Sequence, residues 1–248
     1  MRESNPEQFI EKALEAMIPA IKEVYKEHLL MIALYGSAAT GTFVKGVSDI
    51  NILIVVDLSD AEKLCDLSKS ARRSLLDYRI TPHILSEREL LTSADVFPIE
   101  YLEIRDTLRL LYGTSLLDEL EIGKKNIRHQ VETMLRGELN SLRQILLMTS
   151  CEEKILHREL LSWSGRQLPL YRAVLRLYGD HTAIMAPKQM ITLLEKYLQC
   201  PCSSLKELVD LRKKKTKMKS PELRSLSTEL VTQYLKMVEV VDACDTVE

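Results

Sequence analysis

Apolar residues recur at helical spacing near the start of the chain, at Phe9, Ile10, Ala13, Met17, Ile18, Ile21, Val24 and Tyr25. This stripe predicts an amphipathic helix over residues 5–28, with Asn5 as N-cap and Pro6 in the first turn. The pattern then changes period. Residues 30–35 read as a strand, and residues 50–56, almost unbroken in Ile, Leu and Val, read as a strand covered on both faces. Helical spacing returns over 59–77 through Ala61, Leu64, Leu67, Ala71 and Leu75. Short strands are expected at 79–85, 99–105 and 108–112, with a helix at 87–93. Strands alternating with helices point to a layered sheet-and-helix unit.

After Gly113 the strand-like alternation stops. Residues 124–149 carry Ile127, Val131, Leu135, Leu139, Leu142 and Leu146 on one helical face. Further helices are expected at 152–163, 168–178, 187–199, 203–214 and 221–243, punctuated by Gly165, Gly179, Pro187 and Pro201. The expected class is therefore α+β. A mixed sheet with helices occupies a first domain, residues 1–122, and an all-helical bundle forms a second, residues 123–248.

Composition narrows the function classes. Hydrophobic residues make up 46% and charged residues 28%, as in an ordinary globular protein. The net charge of -2 argues against general coating of nucleic acid, and 5% aromatics leaves little material for stacking bases. Five scattered cysteines fit a reducing compartment better than a disulfide framework. Cys200-Pro201-Cys202 has no second Cys or His pair at zinc-site spacing. The first residues lack a signal-peptide apolar core, and no run approaches the roughly 18 apolar residues of a membrane span. A cytoplasmic protein with no membrane association is expected.

The chemistry-bearing stretch is Leu34 to Val56, LYGSAATGTFVKGVSDINILIVV. A strand breaks at Gly36-Ser37, a Gly-punctuated loop follows, and Asp49 and Asn51 stand at alternate positions as the next strand begins. Phosphoryl and nucleotidyl transfer need a divalent metal to align the triphosphate and donors to hold it. A Gly-Ser turn lets the backbone approach phosphates with a hydroxyl at hand. Alternate positions of a strand share a face, so two acids there can share metal.

Gly36-Ser37, a spacer of about ten residues and then Asp49-Ile50-Asn51 resemble the signature of the polymerase-β-type nucleotidyltransferase superfamily. The helical second domain resembles that of the aminoglycoside nucleotidyltransferases. The resemblance implies phosphate binding by Gly36 and Ser37 and a catalytic Mg2+ held by Asp49 and Asn51. ATP or another nucleoside triphosphate would be the ligand. Family members carry a second acid where Asn51 stands, and a third on a later strand. Here that strand is 79–85, where Thr81 or His83 takes the expected place and no acid is present. Neutral replacement at these positions sets weak or absent catalysis against intact nucleotide binding. His83 is a candidate base, because neutral imidazole accepts protons near pH 7. Glu100 and Glu103 read as solvated strand positions.

Two functions follow. One is transfer of a nucleoside monophosphate to a hydroxyl on a small molecule or protein. The other is a catalytically degenerate nucleotide-binding or protein-interaction module with a regulatory role. The surplus apolar surface of long helices offers a route to a homodimer. Arg212 to Lys219 is a dense basic run, read first as solvated and second as an anion contact. Arg176 and His181 match a loose ribonuclease spacing, broken by Gly179. Arg128, His129, Arg136 and Arg143 read as solvated helix charges.

Overall fold

The computed structural model describes residues 5–46, 48–57, 60–179, 185–214 and 218–244. The chain divides into two units, Met1–Ile122 and Gly123–Glu248.

The first unit opens with helix α1 (Pro6–Tyr25), whose N-cap Asn5 side chain accepts the Glu7 N–H at 3.2 Å. Strands β1 (Leu29–Tyr35) and β2 (Ile50–Val56) follow, then α2 (Ala61–Asp77), β3 (Ile80–Ser86), α3 (Glu87–Thr92), α4 (Pro98–Thr107) and β4 (Arg109–Gly113). The strands form one mixed sheet in the order β3-β2-β1-β4. β1 is antiparallel to β2 and β4, and β2 is parallel to β3. A helical crossover is what a parallel pair requires, and α2 supplies it.

Both inner strands are buried on both sides, which explains their unbroken apolar sequence. Ile32, Leu34, Ile50, Ile52 and Ile54 pack on one side with Leu14, Met17 and Ile21 of α1 and Leu67 of α2. Met31, Ala33, Leu53 and Val55 pack on the other with Leu90 of α3 and Tyr101 and Ile104 of α4. Alternation therefore puts Asn51 on the second side, with Leu53 and Val55.

The expected strand over 99–105 is corrected by the structure, because these residues lie in α4. Pro98 sits in the first helical turn, where its missing N–H costs nothing. Ile99, Tyr101, Leu102 and Ile104 are all buried. A helix covered around so much of its perimeter shows no single apolar stripe, and its sequence imitates alternation. Glu100 and Glu103 accordingly lie on a helix. The sheet has four strands among the described residues.

The second unit consists, among its described residues, of α5 (Lys124–Met148), α6 (Glu153–Ser164), α7 (Leu168–Leu177), α8 (Pro187–Leu198), α9 (Ser203–Lys214) and α10 (Ser220–Asp242). Its core includes a buried polar knot. The Gln167 amide donates to Glu138 at 2.9 Å and to the Trp163 carbonyl at 3.0 Å, and its oxygen accepts from the Tyr234 hydroxyl at 2.7 Å. Burial pushes the Tyr234 and Tyr171 phenols well up, so both stay neutral.

Gly113, at φ +78, closes the edge strand β4, and a Cβ there runs into the Leu30 carbonyl. Gly113→Ala is expected to lose about 1–2 kcal/mol from the left-handed backbone alone. The check is a urea unfolding midpoint, which should fall clearly below that of the natural protein.

Candidate nucleotide site

Gly36 ends β1 and starts a single 3₁₀ turn, Gly36–Ala38. Its φ of +72 is costly for any residue with a Cβ. A Cβ there would also sit 3.2 Å from the Asn51 amide nitrogen, so turn and strand meet closely. The Gly36 N–H donates to Thr107 Oγ1 at 2.9 Å, which ties the turn to the end of α4. The Gly36 carbonyl accepts from the Ala39 and Thr40 N–H groups, both at 3.1 Å. Ser37 and Ala38 thus head the turn, with N–H groups that precede its own bonds.

The register brings the other residues to the same end of the sheet. Tyr35 stands opposite Asn51, and Asn51 stands beside Thr81. Asp49 lies immediately before β2, outside the strand. One step further along, Leu53 pairs with His83, so Thr81 and His83 share the Asn51 side of the sheet. Pro82 lies on β3, an edge strand, where a missing N–H is tolerated.

Asp49 is engaged by a residue that the sequence pattern does not single out. Arg79 Nε and Nη2 lie 2.9 and 2.8 Å from Asp49 Oδ1. Its Nη1 donates to the Gly46 carbonyl at 2.9 Å. The only signal in the sequence is a cationic residue next to a strand start, separated from Asp49 by 30 positions. Thr107, which anchors Gly36 from the end of α4, has no sequence signal because that segment imitates a strand.

These residues do not fit a resident divalent metal. Magnesium takes carboxylate, phosphate and water oxygens. Of the residues singled out here, Asp49 offers a carboxylate with an oxygen already held by a guanidinium, and Asn51 a neutral amide. Among the described residues no group of three His, Cys, Asp or Glu is placed to hold a metal ion.

A cavity of about 410 Å³ opens on the same side of the sheet, lined in part by His83, Glu89, Phe97, Glu100 and Tyr101. Burial holds the His83 pKa below its ordinary 6.5, with the Glu100 charge opposing. The imidazole is therefore neutral at pH 7. Glu89 is kept ionised by the Ser86 N–H and hydroxyl of the α3 capping box.

The remaining sequence candidates resolve as structure. Cys202 is fully buried, and burial above all, with Cys200 and Glu195 adding, pushes its thiol up to about 12, which leaves it unreactive. Arg128 and Arg136 pair along α5 with Glu132, at 3.1 and 2.8 Å. His129 and Arg143 are exposed on the same helix. Of the Arg176 and His181 pair, His181 lies outside the described residues, as do residues 215–217 of the basic run. No described helix is long and apolar enough to cross a membrane.

No curated protein matches the chain in sequence. The chain is similar in fold to the spectinomycin adenyltransferase AAD(9) from Enterococcus faecialis, solved with ATP and spectinomycin. The TM-score is 0.54 at 13% identity, over 91% of this chain and 99% of that one. A family model described as "Nucleotidyltransferase domain" matches residues 14–110, from within α1 to β4. Gly36, Ser37, Asp49, Asn51, Thr81 and His83 all fall inside those bounds, so the sheet end described above lies within the stretch that is similar to a nucleotidyltransferase domain.

Proposed function

We propose that the first unit binds a nucleoside triphosphate at the Gly36-Ser37 turn, and that transfer of its nucleoside monophosphate to a hydroxyl is slow. The observation that carries this is the meeting of Gly36 and Asn51 at one sheet end, inside the matched domain. The relative solved with ATP and spectinomycin supports an adenine nucleotide and a small-molecule acceptor. The second unit, 123–248, would then serve as a separate helical domain, with a homodimer as one of its uses.

In the transfer, an acceptor hydroxyl oxygen bonds to the α-phosphorus, pyrophosphate leaves, and the hydroxyl proton passes to a base. Ser37 and the N–H groups heading its turn hold phosphate oxygens. Where the triphosphate arrives as its magnesium complex, the metal belongs to the substrate, and Asp49 and Asn51 would be the residues to meet it. His83, neutral and beside a cavity of about 410 Å³, would be the candidate to take the proton. Its depressed pKa makes it a weaker base than an ordinary imidazole. Losing a single neutral donor costs about 10²–10³ in rate in other enzymes, and this site lacks two acids. That deficit supports the second reading, a regulatory nucleotide-binding module.

Calorimetric titration with Mg-ATP and Mg-GTP, beside a radiolabel transfer assay with mixed hydroxyl acceptors, tests both readings. Binding with little or no transfer is expected. Asn51→Asp restores a carboxylate on the same strand face and should add a magnesium-dependent gain in affinity of about tenfold, or ~1.4 kcal/mol. Failure of every triphosphate to bind sinks the proposal, and rapid turnover sinks the regulatory reading.

His83 also leaves a trace in stability. Its folded pKa lies below 6.5, so the unfolded chain binds more protons in the window beneath that value. The contribution is complete above pH 6.5 and is lost as pH falls through the folded pKa. Thermal melts of the natural protein and His83→Gln between about pH 5 and 7.5 should show a shallower acid slope in the variant. Parallel slopes would mean that His83 is not held neutral by burial. Light scattering at one chain's mass would remove the homodimer.

A further inference from the structure

Nucleotidyl-transfer sites gather carboxylates because metal ions then bridge them to the phosphates. Without metal, those carboxylates repel the triphosphate. Among the described residues at the starts of β2 and β3 there is one carboxylate, Asp49, and an arginine is laid against it. Arg79 precedes β3 as Asp49 precedes β2, and the register pairs Ile50 with Ile80, so the two residues are neighbours across a parallel strand pair. The Arg79 backbone is left-handed, at φ +54, and its carbonyl accepts the Ile50 N–H at 3.0 Å. A non-glycine residue held in this region is uncommon. Its effect here is to turn the guanidinium onto Asp49 and Gly46 instead of along the strand.

A guanidinium carries five N–H donors in a rigid fork. The contacts to Asp49 Oδ1 and the Gly46 carbonyl use one donor on each nitrogen, leaving N–H bonds on both terminal nitrogens for a further acceptor. The side chain is half exposed, so phosphate can reach it. Planar charged forks of this kind suit phosphate oxygens. The Gly36 turn and Arg79 flank Asn51 from strands on either side of β2, roughly 10 Å apart across two strand spacings.

Resting on the nucleotide reading above, we propose that Arg79 replaces the metal as the cationic partner of the triphosphate, and that this protein binds a free nucleoside triphosphate without a divalent ion. Asp49 then sets the strength of that cation by sharing it.

The test is calorimetric titration of the full chain with ATP, once in excess EDTA and once in excess magnesium. The natural protein should bind with similar affinity in both. Arg79→Ala should lose about tenfold or more in EDTA, the worth of a charge-assisted phosphate contact. Arg79→Lys keeps the charge without the fork and should fall between. Asp49→Asn should bind more tightly than the natural protein in EDTA, because the guanidinium's charge is no longer neutralised by a carboxylate. Thermal melts establish that each variant is folded, and Arg79→Lys and Asp49→Asn carry the test should Arg79→Ala fail to fold. Binding by the natural protein in magnesium alone overturns the proposal and leaves nucleotide binding standing. So does an Arg79→Ala affinity equal to the natural one in EDTA, which makes the pair a loop clamp. Absence of binding in both conditions overturns nucleotide binding itself.

Discussion

β1 and β2 are covered by apolar side chains on both faces, and this restricts where the sheet can present chemistry. A polar group in the middle of either strand would be buried without water. The end where β1 stops and β2 and β3 start escapes that restriction. Gly36, Ser37, Asp49, Asn51 and Arg79 are all found there. The antiparallel pairing of Tyr35 with Asn51 sets the Gly36 turn against the start of β2, and the parallel pairing of Ile50 with Ile80 sets Arg79 against Asp49. A slip of one residue in either pairing would turn Asn51 into the α1 and α2 core. The site is therefore as well defined as the register, and the register is enforced by two hydrophobic layers.

Electrostatics at this end set it apart from a carboxylate-rich metal site. Coulombic attraction between a metal and its site grows with the number of carboxylates. Asp49 and Arg79 form a pair of no net charge, and Asn51 adds none. Such a pair adds little attraction for magnesium and little repulsion for a polyanion. Phosphate binding needs only donors and an absence of repulsion, whereas transfer also needs charge that strengthens in the transition state. Neutral residues in place of carboxylates in a site of this kind therefore bear more heavily on turnover than on binding.

The helical unit solves a different problem. The six described helices bury Trp163, Tyr171 and Tyr234 together; the two phenol hydroxyls share a hydrogen bond at 3.2 Å, while the indole N–H meets no partner among the described residues. Gln167, fully buried, satisfies the Trp163 carbonyl, Glu138 and Tyr234 at once. Hydrogen bonds converging on one buried amide fix packing more narrowly than apolar contacts alone.

Apolar periodicity alone located all ten described helices but one, because nine of them keep a polar side for solvent or a cap at the start. It misread 99–105, where α4 is buried around too much of its surface to keep a stripe. The Gly-Ser turn and the Asp-x-Asn start of β2 were legible because their backbone demands and alternation are local. So was the lack of an acid at Thr81 and His83. Arg79 and Thr107 were not legible. Each acts on a residue 30 or 71 positions away, through a strand pairing or a helix end that no local pattern encodes. Sequence determined which groups the site would contain. Only the tertiary structure, through strand register and one left-handed backbone position, decided that its single carboxylate is shared with a cation.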